Sequence, residues 1–255
     1  MSVALRNPRA RLLVALAAVA IIASSLWIAC RDVAARSQHP VLVFTTLPLL
    51  WHESAGINDL LRDDMAPHWS LRILRTMGEV RGIDSLAGPD GRPAIAQTSA
   101  LLVMAQPRPL SPVENVALDQ WVRAGGHVLL FADPMLTGPS TYAPGDRRRP
   151  QDVVLLSPIL GRWGLELTVD ESQPEGERLT SMLGGAVPVN LPGRFRLAGQ
   201  SPECQLRDGG LVALCRIGRG RAVAVADAAL LEESEGSGRD ARVQALEALL
   251  RASDE

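Results

Sequence analysis

Lysine is missing from this sequence of 255 residues, and all 26 basic side chains are arginine. Without lysine the chain can form no Schiff base with a substrate, and it has no lysine to act on a phosphate. The formal net charge is −2, so the sequence predicts no general affinity for nucleic acid. These absences exclude several classes of enzyme and of nucleic-acid-binding protein.

The usual signatures of catalytic and nucleotide-binding sites are missing too. There is no GxSxG nucleophile turn, no glycine-rich phosphate loop and no GxGxxG dinucleotide motif. His52 and Glu53 begin a pattern like HExxH, but Gly56 stands where the second histidine of a zinc site would be. The other histidines show no spacing typical of metal ligands, and we expect neither a metal nor another cofactor.

One uncharged segment near the N-terminus predicts a membrane anchor. Residues 12–30, LLVALAAVAIIASSLWIAC, would extend roughly 28 Å as a helix, close to the ~30 Å of a bilayer's hydrocarbon core. The excess of arginine before this segment predicts a cytoplasmic N-terminus. We therefore expect residues 1–36 to anchor the chain in the bacterial inner membrane with a single crossing, and residues 37–255 to form one periplasmic domain.

Two other fates of the N-terminal segment stay open. The sequence VAAR at residues 33–36 would allow a signal peptidase to cleave after Ala35. The sequence WIAC, which ends at Cys30, faintly resembles a lipoprotein box with Trp27 in the usual place of leucine. Either fate would change the anchor and leave the domain outside the cytoplasm.

The two cysteines outside this segment, Cys204 and Cys215, flank the sequence QLRDGGLVAL. If Gly209 and Gly210 form a two-residue hairpin turn, the cysteines stand directly opposite each other, about 4.5–5.5 Å apart, within reach of a disulfide. A disulfide would agree with an oxidising compartment. Two unpaired apolar cysteines remain the alternative.

Strand and helix signals alternate along the chain and predict an α/β domain. Apolar runs at 41–46, 100–105 and 222–226, and the stretch HVLLFADP at 127–134, are typical of strands buried on both faces. The pattern WSLRIL at 69–74 predicts a further strand, although it fits a helix nearly as well, and residues 56–65 predict a short helix.

The clearest helix signal follows the run at 100–105. Ser111 is predicted as the N-cap, with Pro112 at the first helical position and Glu114 completing a capping box. A strand, this helix and the next strand fall within about 35 residues, which predicts a right-handed βαβ unit with parallel strands. The helical spacing predicts one buried face, made of Val113, Val116, Ala117, Trp121 and Ala124.

Open parallel sheets bind ligands beyond the carboxyl ends of their strands. We predict a rim of polar and aromatic side chains there that binds a ligand or partner. Its members are Thr45, Thr46, Trp51, His52, Glu53, Gln106, Asp133 and Asp227. Because aspartate at a strand end also commonly caps a turn, a structural role for each aspartate stays open.

A family resemblance adds to this interpretation. The stretch LLVMAQPRPLSPVENVALDQWVRAGGHVLLFADP, followed downstream by GRGRAVAVADAALL, resembles the glutamine-amidotransferase-like domain of ABC-transporter auxiliary proteins of the gliding-motility type. It also resembles a related membrane-anchored family of unknown function. The resemblance implies a flavodoxin-like, class I glutamine-amidotransferase-like, mostly parallel sheet with a small β-hairpin addition. It also implies loss of the catalytic Cys–His pair, with Gln106-Pro107-Arg108 in place of the nucleophile elbow.

Taken together, the missing nucleophile and the polar rim predict a protein that is not an enzyme. We expect a membrane-anchored, extracytoplasmic binding or assembly module, accessory to an ABC-type transporter or another envelope system. The alternative is a degenerate hydrolase or amidotransferase that uses His52, Glu53 and either Asp133 or Asp227, which would require these side chains to converge on one site.

Overall fold

The computed structural model describes residues 40–53, 66–96, 98–199, 203–232 and 238–254. The chain divides between Gln38 and His39 into two units, and all the described residues belong to the second. The predicted anchor at 1–36, with its alternatives at Cys30 and Ala35, lies outside the described residues, as does the predicted helix at 56–65. Within the described ranges, no helix is both long and apolar enough to cross a membrane.

The described elements alternate between strands and helices before a mainly β segment. In chain order they are β1 (Val41–Thr45), α1 (Trp69–Met77), β2 (Val80–Gly82), β3 (Leu101–Ala105), α2 (Pro112–Arg123), β4 (His127–Phe131), α3 (Ser157–Arg162), β5 (Leu165–Val169), β6 (Arg178–Met182), β7 (Gly185–Val189), β8 (Gly193–Leu197), β9 (Cys204–Arg207), β10 (Val212–Ile217), β11 (Gly220–Val225) and α4 (Arg239–Asp254).

Seven of these strands form one mostly parallel sheet in the order β2-β1-β3-β4-β11-β10-β9. The pairs from β2 to β11 are parallel, and β10 and β9 continue the sheet in antiparallel fashion. The predicted hairpin addition is therefore the edge of the main sheet. The other four described strands form two small antiparallel pairs, β5 with β8 and β6 with β7.

The sheet separates two apolar cores, as strands buried on both faces require. Alternate residues of each central strand point to opposite faces: Val103 joins the core under α1 and α4, while Leu102 and Met104 join the core under α2 and α3. The parallel pairing of β3 with β4 around α2 confirms the predicted βαβ unit. This arrangement brings the carboxyl ends of β1, β3, β4 and β11 to one edge.

Residues 69–74 are helical, so the preferred prediction of a strand is wrong and its helical alternative is right. The buried residues Trp69, Ile73 and Leu74 lie on one side of α1, while Arg72 and Arg75 are exposed. A ring nitrogen of His68 accepts a hydrogen bond from the Ser70 N–H and caps the helix. The exposed arginines three residues apart follow the helical period and not the two-residue period of a strand.

The capping box of α2 is confirmed, but its predicted buried face is partly wrong. The Ser111 hydroxyl accepts from the Glu114 N–H at 3.2 Å, and the Glu114 carboxylate accepts from the Ser111 N–H at 3.0 Å. That carboxylate also binds Arg108 and the Leu86 N–H, which holds Glu114 inward. Val113 and Val116 are consequently exposed by 49% and 44%, and Ala124 is exposed at the helix end. The buried face is formed by Ala117, Leu118, Trp121 and Val122.

The hairpin between β9 and β10 pairs Cys204 directly with Cys215, and a disulfide joins them. This is the register that a two-residue turn at Gly209 and Gly210 predicts. Both glycines have positive φ angles, 67° and 90°, as a tight hairpin turn requires at its two central positions. The N–H of Leu211 closes the turn on the Asp208 carbonyl.

We expect removal of the disulfide to destabilise the domain without changing its fold. A short closed loop restricts the unfolded chain, so Cys204→Ser with Cys215→Ser should lower the free energy of unfolding by about 2.5–3 kcal/mol. Denaturant unfolding of the double variant measures this loss, and fully reduced wild-type protein serves as its control. Identical midpoints for the oxidised wild type and the double variant would contradict the expectation.

Candidate functional site

Threonine side chains join the end of β1 to the end of β3. The Thr45 hydroxyl donates to the Ala105 carbonyl at 2.6 Å, and the Thr46 hydroxyl donates to the Gln106 carbonyl. Thr46 also accepts from the Gln151 N–H at 3.1 Å. Both predicted rim threonines thus bind backbone groups, which tie β1 to β3 and to the loop after β4.

Gln106 occupies the bend after β3, where a nucleophile elbow would be. Its backbone is in the left-handed region, with φ of 43°, which is uncommon for a residue other than glycine. Its side chain is fully buried. The amide nitrogen donates to the carbonyls of Asp133 at 3.0 Å and Gln151 at 2.7 Å, and the amide oxygen accepts from the Asp133 N–H at 2.9 Å. The whole amide is therefore used to hold neighbouring backbone.

Asp133, just beyond β4, is also engaged by backbone groups. One carboxyl oxygen accepts from the Met135 N–H at 2.8 Å and the other from the Ala228 N–H at 3.0 Å. Burial of the carboxyl raises its pKa to about 6, although these two hydrogen bonds favour the charged form. The side chain fixes the loop after β4 to the end of β11.

Asp227, just beyond β11, has an equivalent arrangement. Its carboxyl oxygens accept from the N–H groups of Ala229 at 2.7 Å and Asn190 at 3.0 Å. Burial raises the pKa of this carboxyl well above its usual range, and the nearby charge of Asp133 raises it further. Both strand-end aspartates therefore have the structural role that the sequence left open.

A pocket of about 410 Å³ lies beside these strand ends. Its lining includes His52 and Glu53 from the loop after β1, whereas Thr45, Thr46, Trp51, Gln106, Asp133 and Asp227 are not part of it. The structure thus brings together two of the predicted rim residues and places the other six outside the pocket lining. The walls are mainly apolar, formed by Leu47, Pro48, Leu49, Leu136, Pro139, Pro150 and Leu231.

Glu53 connects the two loops that border this pocket. Its carboxylate accepts from the Ser140 hydroxyl at 2.9 Å, the Thr141 N–H at 2.6 Å and the Thr141 hydroxyl at 3.0 Å. The long segment after β4 is therefore held against the loop after β1. Ser140 and Thr141 bind this carboxylate, and neither hydroxyl bonds to a histidine in the described part of the chain.

Sequence reasoning missed Glu232, which lines the same pocket. The side chain is half-buried, and among the described residues its Oε1 atom is buried without a hydrogen-bond partner. Burial is the main reason that its pKa rises to about 7, and the charge of Asp133 adds to the effect. An acidic residue directly after the apolar run AALL, close to a strand end, was the signal that could have identified it.

The raised pKa of Glu232 predicts a pH-dependent stability. The folded state holds this proton more tightly than the unfolded chain, whose glutamates titrate near 4.5. This group's contribution to stability is therefore complete at low pH and is lost as the pH rises from about 4.5 to 7. At pH 8, Glu232→Gln should be more stable than wild type by about 1–2 kcal/mol, because solvent screens part of the effect at this half-buried side chain. At pH 4 the two proteins should be equally stable.

Urea unfolding at the two pH values measures this difference. Glu247→Gln, which removes an exposed carboxylate from α4, is the matched control and should show no such change between the two pH values. A Glu232→Gln variant no more stable than wild type at pH 8 would contradict the expected burial of charge.

The described ranges contain no group of three or more histidine, cysteine or acidic side chains that could hold a metal ion. The pocket's polar groups lie among apolar walls, and three of them are hydrogen-bonded to one another. They are His52, Glu53, His68, Ser140, Thr141 and Glu232. Such a lining suits contact with a small organic ligand, with a few polar groups setting its orientation.

Comparison with known proteins gives neither a family nor a curated relative, since no family model and no curated protein matches the chain. Among solved structures, it is similar to an exo-β-1,4-mannosidase from Opitutaceae bacterium strain TAV5, with 15% identity over 90% of this chain and 38% of that one, at a TM-score of 0.45. A cold-adapted β-galactosidase from Rahnella sp. R3 shares 13% identity over 83% of this chain and 30% of its own, at a TM-score of 0.43. A catalytic mutant of a GH42 β-galactosidase from G. stearothermophilus shares 12% identity over 85% of this chain and 30% of its own, at a TM-score of 0.44. The chain spans only about a third of the length of these proteins.

Proposed function

We propose that this domain is a non-catalytic binding module, anchored in the inner membrane by residues 1–36 and accessory to an ABC-type transporter or another envelope system. The main support for the proposal is the environment of Gln106. At the bend where a nucleophile would stand, the Gln106 side chain is fully buried and makes three hydrogen bonds to backbone groups. A nucleophile must be exposed to substrate and activated by a base, and this side chain has neither property.

The alternative hydrolase finds less support in the same geometry. His52 and Glu53 do line one pocket. However, Asp133 and Asp227 are outside its lining, and each already accepts two backbone hydrogen bonds. Neither strand-end aspartate thus lines the pocket beside the histidine, and this arrangement favours binding over acid–base catalysis.

The glutamine-amidotransferase-like resemblance of the sequence supplies the proposed context. Proteins with such domains assist transporters, and a short anchored module could act through the edge of the sheet where the pocket opens. Trp51 and Leu50 are exposed by 39% and 37% beside the pocket residue His52. They provide apolar contact area for a partner at this edge.

Site-specific photocrosslinking in native membranes tests the proposal. A photoreactive amino acid at position 51 of the full-length chain should form a crosslink to a transporter or envelope protein, identified by mass spectrometry. The same group at the exposed position 247 on α4 is the control and should not form it. Turnover of amide, ester or glycoside substrates that is lost in His52→Ala would refute the non-catalytic function.

A further inference from the structure

The apolar walls of the pocket beside the strand ends are held in place by the core of the domain. Leu47, Leu49 and Leu231 belong to the buried cluster under α1 and α4, and Leu136 packs against the same cluster. Three prolines, whose rings fix the backbone φ angle, complete these walls. Since the walls are already ordered, little conformational freedom is lost when a ligand enters between them.

Hydrogen bonds hold the loops that carry these walls. The Leu47 N–H donates to the Thr45 hydroxyl at 2.9 Å, and the Leu49 N–H donates to the Leu47 carbonyl at 2.8 Å. In the segment after β4, the Leu136 N–H donates to the Asp152 carbonyl at 2.9 Å. The pocket is therefore formed before any ligand enters. Its volume of about 410 Å³ lies within the range of small-molecule sites, roughly 300–1,000 Å³.

Three residues of the lining use their polar side-chain atoms on one another. The Glu53 carboxylate accepts from the Ser140 hydroxyl, the Thr141 N–H and the Thr141 hydroxyl, and the Ser140 hydroxyl oxygen accepts from the Tyr142 N–H at 3.2 Å. An anionic ligand would be repelled by this carboxylate. A cationic ligand would lose its hydration and would compete with three donors already bound to the carboxylate. The lining therefore favours an uncharged ligand.

His52 is the polar side chain of this lining that is left to bind a ligand. His68 is buried, and its Nδ1 atom accepts from the Ser70 N–H at 3.3 Å. The Glu232 carboxyl accepts from the Gly138 N–H, and its Oε1 atom is buried. In contrast, the imidazole of His52 is half-buried and makes no hydrogen bond in the described part of the chain. A neutral imidazole offers one donor and one acceptor nitrogen.

We propose that this pocket binds a small uncharged organic alcohol, with its hydrocarbon part against the leucines and prolines and its hydroxyl group hydrogen-bonded to the imidazole of His52. This inference rests on the proposed binding function and names the ligand class of the same site. A hydroxyl group both donates and accepts, so it fits either nitrogen of the ring. Removal of the hydrocarbon part from water against apolar walls favours binding.

Equilibrium dialysis of the full-length protein in detergent tests this with three tritium-labelled probes of similar shape, and protein-free micelles serve as the blank. Cyclohexanol should bind with a dissociation constant in the millimolar range. Cyclohexylammonium and cyclohexanecarboxylate should bind at least about tenfold more weakly, because each would bring an unpaired charge against apolar walls. No binding of cyclohexanol above the blank, or an ion that binds as tightly as cyclohexanol, overturns the proposed ligand class.

Three variants assign the binding to this pocket. His52→Ala removes the hydrogen-bond partner and should weaken cyclohexanol binding by about three- to tenfold. Leu136→Trp fills the pocket from a half-buried position and should abolish binding. Leu197→Trp, on β8 where Leu197 is exposed by 54%, is the matched control and should bind like wild type. Wild-type affinity in His52→Ala, or in a Leu136→Trp variant that its unfolding curve shows to be folded, overturns the inference.

These results separate the inference from the proposed function. Failure of cyclohexanol to bind, together with a specific crosslink from position 51, would remove the ligand class and leave the binding module. Substrate turnover that is lost in His52→Ala would remove the non-catalytic function, whatever the dialysis shows.

Discussion

Gly220→Ala will prevent the domain from reaching its native packing, although it adds a single methyl group. Gly220 begins β11 and packs against the end of α2 and the turn that follows it. A β-carbon at this position would overlap with the backbone carbonyl oxygens of Val122 and Gly126. Since these are backbone atoms, the overlap can be relieved only by separating α2 from the sheet. We expect a loss of at least about 3–5 kcal/mol, most of the stability of an ordinary domain.

Gly161→Ala provides the matched control for this substitution. Gly161 lies in α3, and a β-carbon there would have no atom within 4 Å in the described part of the structure. Alanine restricts the unfolded chain and favours the helix, so this variant should be more stable than wild type by about 0.5–1 kcal/mol. Circular dichroism during urea unfolding compares the two variants. A wild-type midpoint for Gly220→Ala would show that the helix and sheet are not packed as described.

Gln106→Ala will cause the second large loss, because this one buried side chain makes three hydrogen bonds to backbone groups. Without the amide, the Asp133 N–H and the Gln151 carbonyl lose the partner that Gln106 supplies, whereas the Asp133 carbonyl keeps the hydrogen bond that the Val154 N–H donates at 3.1 Å. Each buried polar group left unpaired costs about 1–3 kcal/mol, and part of this is recovered where water enters. We expect the free energy of unfolding to fall by about 3–5 kcal/mol.

The matched substitution is Gln120→Ala, at an exposed position of α2. It removes the same side chain from a surface position and should change stability by no more than about 0.5 kcal/mol. Urea unfolding followed by tryptophan fluorescence measures both variants. If Gln106→Ala proved as stable as Gln120→Ala, the hydrogen bonds that join the strand ends would not be structural, and the main support for the proposed function would be lost.

Local sequence signals predicted the parts of the fold that depend on neighbours in the chain. The capping box at Ser111 and Glu114 is made by residues three apart, and the turn at Gly209 and Gly210 needs residues that tolerate positive φ. The register that opposes Cys204 to Cys215 follows from that turn alone. The buried strands were recognisable from continuous apolar runs because both of their faces are covered.

Predictions failed where a distant contact decided between two local possibilities. Residues 69–74 fit both a strand and a helix, and burial of one side of α1 against the sheet selects the helix. Val113 and Val116 fit the apolar stripe of α2, but Arg108 and the Leu86 N–H hold Glu114 inward and leave both valines exposed. Neither contact can be read from the helical period.

The residues of the candidate site were also predictable in part from the sequence. The sequence by itself placed polar residues at the strand ends, since strand ends follow from apolar runs. Only the tertiary structure decided what those residues do: Gln106, Asp133 and Asp227 bind backbone groups, while His52 and Glu53 line the pocket. It also added Glu232 to the pocket lining, which the sequence did not predict. Hydrogen-bond partners and burial depend on residues far apart in the chain. The raised pKa of Glu232 therefore exists only once β4, β11 and α4 have packed together.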